Sequence, residues 1–201
     1  MRCEMMNDKV ELIVKQIAKG NNHYCGDAYF YTTTEEYFIC VLADGLGSGE
    51  FAYESSTAIT EIVESNHQLA IEDLLAKCNE ALVKKRGAAV AIFKVIFKER
   101  QFQYISVGNI RFFLYKPISQ KLIYPLPTNG YLCGRLNKFH KHTYSYEPLS
   151  RFMFFSDGLE LKGTTSYMKK EVALSLIIEE IWNQNGAKSD DVTLIMGSLL
   201  Q

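Results

Sequence analysis

Hydrophobic positions along this 201-residue chain fall into two periodicities that exchange places several times. Strand-like patterns open the chain: Lys9–Ala18, then a polar loop, GNNHYCGD, then a short aromatic segment at Ala28–Tyr31. Tyr37–Ala43 is an almost unbroken apolar run of β-formers, the pattern of a strand buried on both faces. Helical spacing then takes over. Phe51, Ala58, Ile59, Ile62 and Val63 share one face, and Ile71, Leu74, Leu75, Cys78 and Leu82 form a second stripe. Period-two patterns return at Ala88–Phe97, Gln101–Val107, Arg111–Tyr115, Lys121–Tyr124, Lys141–Tyr146 and Arg151–Ser156. A helix is predicted over Tyr167–Trp182 and a last strand over Val192–Leu199. The polar link KERQ predicts a hairpin between the first two of these later strands, and Ser106-Val107-Gly108-Asn109 reads as the tight turn of another. Many hairpin-linked strands with helices inserted early and late predict an α+β fold of antiparallel sheet flanked by helices. Strand and helix do not alternate as a doubly wound parallel sheet requires.

Composition changes this picture little. Apolar residues make up 47% and charged residues 22%, with a net charge of −1, which excludes a strongly basic nucleic-acid surface and a membrane-seeking face. The basic runs Lys84-Lys85-Arg86 and Lys169-Lys170 read as solvated helix ends. Five cysteines, an odd count without a C-x-x-C pair, give no disulfide framework and point to a reducing, cytoplasmic setting. Neither a signal-type apolar core nor a run of membrane-spanning length is present. Without repeats or a Pro/Gly/Ser-rich linker, residues 1–201 read as one domain.

The chemistry gathers around ADGLGSG at 43–49, where a buried strand runs into Asp44 and a glycine-rich turn. Three phosphate-binding readings fail. There is no lysine where a P-loop needs one, the glycines are spaced by two rather than as G-x-G-x-x-G, and no cysteine stands six residues before an arginine. A carboxylate at the mouth of such a turn makes sense if a hard divalent cation stands between it and the phosphate, since Mg²⁺ and Mn²⁺ take oxygen ligands. Gly45 then lets the backbone turn so that its own carbonyl reaches the ion. That reading requires further aspartates at strand ends. Asp157 follows RFMFFS, Asp190 and Asp191 precede the last strand, and Asp27 opens the short aromatic one. Each alone is ordinary turn chemistry; the ordered set is not.

Asp27, Asp44-Gly45-Leu46-Gly47, Ser156-Asp157-Gly158-Leu159 and Asp190-Asp191-Val192-Thr193, in this order, resemble the motifs of the metal-dependent type 2C family of serine/threonine phosphatases. RGAAVAIFKV is similar to that family's small-residue segment leading into a central strand. The resemblance implies a four-layer αββα sandwich, two antiparallel sheets face to face between helices, holding two Mn²⁺ or Mg²⁺ ions. Such ions lower the pKa of a water and clamp phosphate oxygens for direct in-line attack. It further implies that Asp44 bridges both ions, the Gly45 carbonyl binds one, Asp157 and Asp190 hold the other, and Asp27 acts close by through water. Asp191 is the lesser ligand candidate of its pair, with a turn or cap role favoured. CGD at 25–27, KRGA at 85–88 and SVGNIRF at 106–112 look like the bacterial stressosome branch of the family. This closer likeness implies phosphorylated stressosome scaffold proteins as substrates and negative feedback on the general stress sigma factor. A phosphorylated anti-sigma-factor antagonist as substrate, or a phosphoprotein-binding pseudophosphatase, are the alternatives.

The family's phosphate-gripping arginine is missing, since Asn22 and His23 stand in its place. Phosphate would then depend on metal-bound water or on another cation such as Arg86 or Arg111, for which a surface or hairpin role is the ordinary one. Ser48 has no base partner to make it a nucleophile, and His140 and His142 are too few for a metal site. The segments Leu126–Lys138 and Glu160–Lys169 flank the acidic sites in chain order and are where substrate docking is expected.

Overall fold

The structure, a computed structural model, describes residues 2–135, 138–185 and 190–201. In chain order its elements begin with β1 (Arg2–Met6), β2 (Val10–Ile17), a 3₁₀ turn (Lys19–Asn21), β3 (Asp27–Thr33) and β4 (Tyr37–Gly45). Two helices follow, α1 (Glu50–Asn66) and α2 (Ile71–Ala81), then β5 (Ala88–Ile96), β6 (Gln101–Val107), β7 (Arg111–Lys116) and β8 (Lys121–Ile123). The remaining elements are β9 (His142–Ser145), β10 (Ser150–Phe155), α3 (Thr164–Lys169), α4 (Leu174–Asn185) and β11 (Val192–Leu199). Every strand pairing is antiparallel, in the α+β class expected from the pattern.

The described chain forms two compact units, each with its own sheet. Residues 21–110 and 126–145 make a five-stranded sheet in the order β3-β4-β5-β6-β9. The apolar stripes of α1 and α2 cover one of its faces, packing Ile59, Val63, Leu74, Leu75 and Cys78 against Val41, Ala43, Val90 and Ile105. Residues on alternate strand positions, Phe38, Leu42, Phe93 and Phe102, are also fully buried, which is why β4 and β5 read as continuous apolar runs rather than alternating ones. The other unit, residues 1–20, 111–125 and 146–201, carries a six-stranded sheet in the order β1-β2-β11-β10-β7-β8. There α3 and α4 set Tyr167, Met168, Ile177, Ile178 and Ile181 against Ile13, Met153, Leu194 and Met196. Cys40 and Cys78 are buried, and burial pushes both thiols upward, Cys78 to about 12, so neither is a nucleophile at neutral pH.

Three local features differ from the pattern. The helix predicted over 167–182 is two helices, because the Arg151 guanidinium takes the carbonyls of Lys170 and Val172 and the chain between α3 and α4 is extended at Lys170. Those carbonyls are thereby satisfied without a further helical turn. The turn at 106–109 does not close a hairpin: β6 pairs with β5 and β9, whereas β7 pairs with β10 and β8. Finally, β1 is too short a pattern to stand out and adds as an edge strand, with Arg2 through Met6 in register with Lys15 through Glu11.

Two buried polar side chains hold the loops of the five-stranded unit. Lys94, 5% exposed, donates to the carbonyls of His67 and Leu69 between α1 and α2, at 2.8 and 2.7 Å, and lies over the Tyr37 ring. Burial pulls its pKa down. Asn79 of α2 accepts the N–H groups of Cys133 and Gly134 at 3.2 and 3.0 Å and donates to the Arg135 carbonyl at 2.6 Å. It thereby fixes residues 133–135 of the loop expected to dock substrate; Leu136 and Asn137 of that loop lie outside the described residues. Replacing Asn79 with alanine leaves three part-buried backbone groups without this partner. A loss of about 2 kcal/mol is expected, seen as a fall in Tm of roughly 4–8 °C for a chain of this length. An unchanged Tm would show that the loop is held by something else.

Candidate metal centre

The acidic residues singled out in the sequence stand at strand ends, in two groups. In the five-stranded unit the register sets Asp27, the first residue of β3, directly opposite Asp44 near the end of β4. Residues opposed in this way carry their side chains on one face with β-carbons about 4.5–5.5 Å apart. Asp27 is 3% exposed and Asp44 half-buried. Like charges placed so are destabilising, and removing a carboxylate from water adds to the cost. A cation between them turns repulsion into attraction, and paired carboxylate oxygens suit a hard divalent ion.

The backbone at this corner is tightly determined. The Gly45 N–H donates to the Gly26 carbonyl at 3.0 Å and the Leu46 N–H to the Gly87 carbonyl at 3.0 Å. Gly45 does not use a left-handed conformation. It is glycine because a β-carbon there would stand 2.0 Å from the carbonyl oxygen of Ala52 in α1. The reason for Asp44-Gly45 is thus close approach of strand to helix, where the sequence suggested a need for backbone rotation.

In the other unit Asp157 follows β10 and Asp190 and Asp191 precede β11, at the same end of an antiparallel pair. Ser156 ties them together: its N–H donates to the Thr193 carbonyl at 3.1 Å, and its hydroxyl accepts the Thr193 N–H at 2.9 Å. Gly158 repeats the logic of Gly45, since a β-carbon there would lie 2.1 Å from the Asp191 carbonyl oxygen. Asp157 is exposed and Asp190 half-exposed, paired with Lys19 Nζ at 3.7 Å. Asp191 is buried; its Oδ1 accepts the Lys19 N–H at 2.9 Å, while its own N–H donates to Asp190 Oδ1 at 3.0 Å. Lys19 and Ser156 were not assigned roles from sequence. Ser156 sits inside a quoted motif, but its function is a backbone tie that only the pairing of β10 with β11 reveals. Among the described residues, no three His, Cys, Asp or Glu side chains are gathered into a closed cage. The His142 Nε2 lies 3.3 Å from the Leu126 carbonyl oxygen, and His140 lies outside the strand.

Comparison with known proteins then decides the family. Residues 34–199 match the family described as stage II sporulation protein E (SpoIIE). The chain belongs to this family. Over 193 residues it is 40% identical to the phosphoserine phosphatase RsbX of Bacillus subtilis (strain 168), spanning 96% of each chain. A crystal structure of RsbX in complex with magnesium is 39% identical, with a TM-score of 0.94 over 99% of this chain and 100% of that one. The PP2C phosphatase domain of Bacillus subtilis SpoIIE, at 14% identity, shares the fold, with a TM-score of 0.80 over 100% of this chain and 64% of that one. SpoIIE-family membership and the RsbX likeness make this chain a protein phosphatase. No helix among the described residues is long and apolar enough to cross a membrane.

The opposed pair generates a stability test. Asp44→Asn removes the like-charge repulsion, so in chelator the variant is expected to match or exceed the parent's stability, by up to about 1 kcal/mol. Added Mn²⁺ should raise the parent's Tm and leave that of the variant nearly unmoved. Equal Mn²⁺ shifts in both proteins would remove Asp44 from the ion's ligands.

Proposed function

We propose that this chain is a Mn²⁺- or Mg²⁺-dependent protein serine/threonine phosphatase of the cytoplasm. Its proposed substrates are phosphorylated stressosome scaffold proteins, and its proposed role is negative feedback on the general stress sigma factor. The observation that carries the reading is the Asp27–Asp44 pair at the mouth of the glycine turn, in a chain 40% identical to a phosphoserine phosphatase. The chain is taken as one phosphatase domain. Asp44 and the Gly45 carbonyl, with Asp27 beside them, are the donors contributed by β3 and β4; Asp157 and Asp190 are those contributed by the β10 and β11 ends. Asp191 belongs to the candidate set, although its Oδ1 accepts the Lys19 N–H.

The donor set fits the ions. Carboxylates and a backbone carbonyl are the oxygen ligands that Mg²⁺ and Mn²⁺ prefer over softer sites. Two such ions supply an activated water and a positive clamp for phosphate oxygens. The chain's own part is positional. Sheet register holds Asp27 and Asp44 on one face, Gly45 brings the strand end against α1, and Ser156 holds the Asp157 turn against the start of β11. Burial holds the Cys40 and Cys78 thiols protonated, so neither supplies a nucleophile, which fits direct transfer of the phosphoryl group to water.

Metal-stripped protein should regain hydrolysis of p-nitrophenyl phosphate and of a phosphorylated scaffold protein on addition of Mn²⁺ or Mg²⁺, and Asp44→Asn should lose it by at least about a thousandfold. Activity on the small ester but not on the scaffold protein would redirect the substrate to a phosphorylated anti-sigma-factor antagonist. Binding of phosphoprotein with no turnover under any metal would replace the enzyme with a pseudophosphatase.

A further inference from the structure

We infer that Arg86 binds the substrate's phosphate. The inference rests on the phosphatase reading and concerns how the same site takes hold of its substrate without the arginine that the polar loop lacks. Arg86 lies just before β5, and the segment carrying it is locked to the Asp44 turn: Leu46 donates to the Gly87 carbonyl at 3.0 Å, and Gly45 is in register with Ala88. The guanidinium itself reaches over the turn. A β-carbon on Gly47 would stand 2.7 Å from Arg86 Nη1, and Gly47 has a φ of 95°. Glycine at 47 therefore does two things, allowing the left-handed turn and leaving the space that the guanidinium occupies.

Two further observations fit an anion. The Arg86 guanidinium lies over the Phe51 ring, 4.9 Å from its centroid, in the first turn of α1. Stacking of this kind fixes the plane of the fork while its N–H groups still point outward. Among the described residues no carboxylate pairs with it, although the side chain is exposed. Three other arginines are already engaged. Arg151 holds the α3–α4 break, Arg2 pairs with Glu4 and Glu179, and Arg111 donates to the Tyr124 hydroxyl at 2.7 Å. Lys84 and Lys85 stand beside Arg86, exposed in the turn that follows α2 rather than at a helix end. They add positive field on the same rim. A phosphate monoester matches this geometry, because its oxygens accept the two parallel N–H groups of an arginine.

The test uses the Mn²⁺-loaded full chain and follows p-nitrophenyl phosphate kinetics, product inhibition by inorganic phosphate, and inorganic phosphate binding by equilibrium dialysis. For Arg86→Ala, KM and both phosphate constants should rise roughly tenfold, the effect of one charge-assisted hydrogen-bonding partner. The kcat should change much less, and Tm and Mn²⁺ affinity should stay as in the parent. Arg86→Lys should recover part of the loss, since a single ammonium replaces a two-pronged contact. Arg111→Ala should leave phosphate binding within about twofold. Unchanged KM and phosphate binding in Arg86→Ala, with an active parent, would overturn this inference alone. A larger effect at Arg111 would overturn it in favour of that residue. An inactive parent that binds no phosphate would overturn the phosphatase reading and this inference together.

Discussion

Two carboxylates facing each other across a strand pair are the constraint around which this protein is organised. In an ordinary sheet, cross-strand neighbours are chosen to attract, and like charges directly opposed weaken the pairing. Here Asp27 and Asp44 are opposed where the edge strand β3 meets β4, one of the most buried strands in the unit. The repulsion is tolerable because β4 is held on both sides, in register with β3 and with β5, and is roofed by α1. Strand pairing and apolar burial supply the rigidity that offsets the repulsion.

The same solution appears twice. Each unit sets aspartates at one end of an antiparallel strand pair, and each uses a glycine after one aspartate so that backbone can approach backbone. Gly45 lies against Ala52, and Gly158 against Asp191. In both cases a methyl group would displace the segment that carries the aspartate. A metal site depends on oxygen positions held to fractions of an ångström, so the residues that fix the backbone matter as much as the donors. Ser156 and the Leu46–Gly87 hydrogen bond belong to that supporting set.

Much of this was legible in the chain. Asp27 follows Gly26 at the start of an aromatic run, and it opens β3 as expected. Asp44, Asp157, Asp190 and Asp191 adjoin apolar runs that are strands, and they stand at the ends of those strands. What stayed hidden involved partners distant in sequence. The break at Lys170–Ala173 is made by Arg151, nineteen residues away from its first acceptor. The SVGN turn reads as a hairpin because turn chemistry is local, whereas the choice of sheet for β6 and β7 is not. Arg86 sits in a basic run that has the look of a solvated helix end, and nothing nearby in sequence says that it stacks on Phe51.

By itself, then, the sequence determined the class of elements, the phosphatase family's chemistry and which aspartates are the candidate ligands. Hydrophobic period depends on local geometry, and metal ligation demands particular atoms. The tertiary structure decided which carboxylates face each other, why Gly45 must be glycine, and where the arginine fork points. Those are matters of register and close approach between segments far apart in the chain, and they are set by packing, which no local pattern encodes.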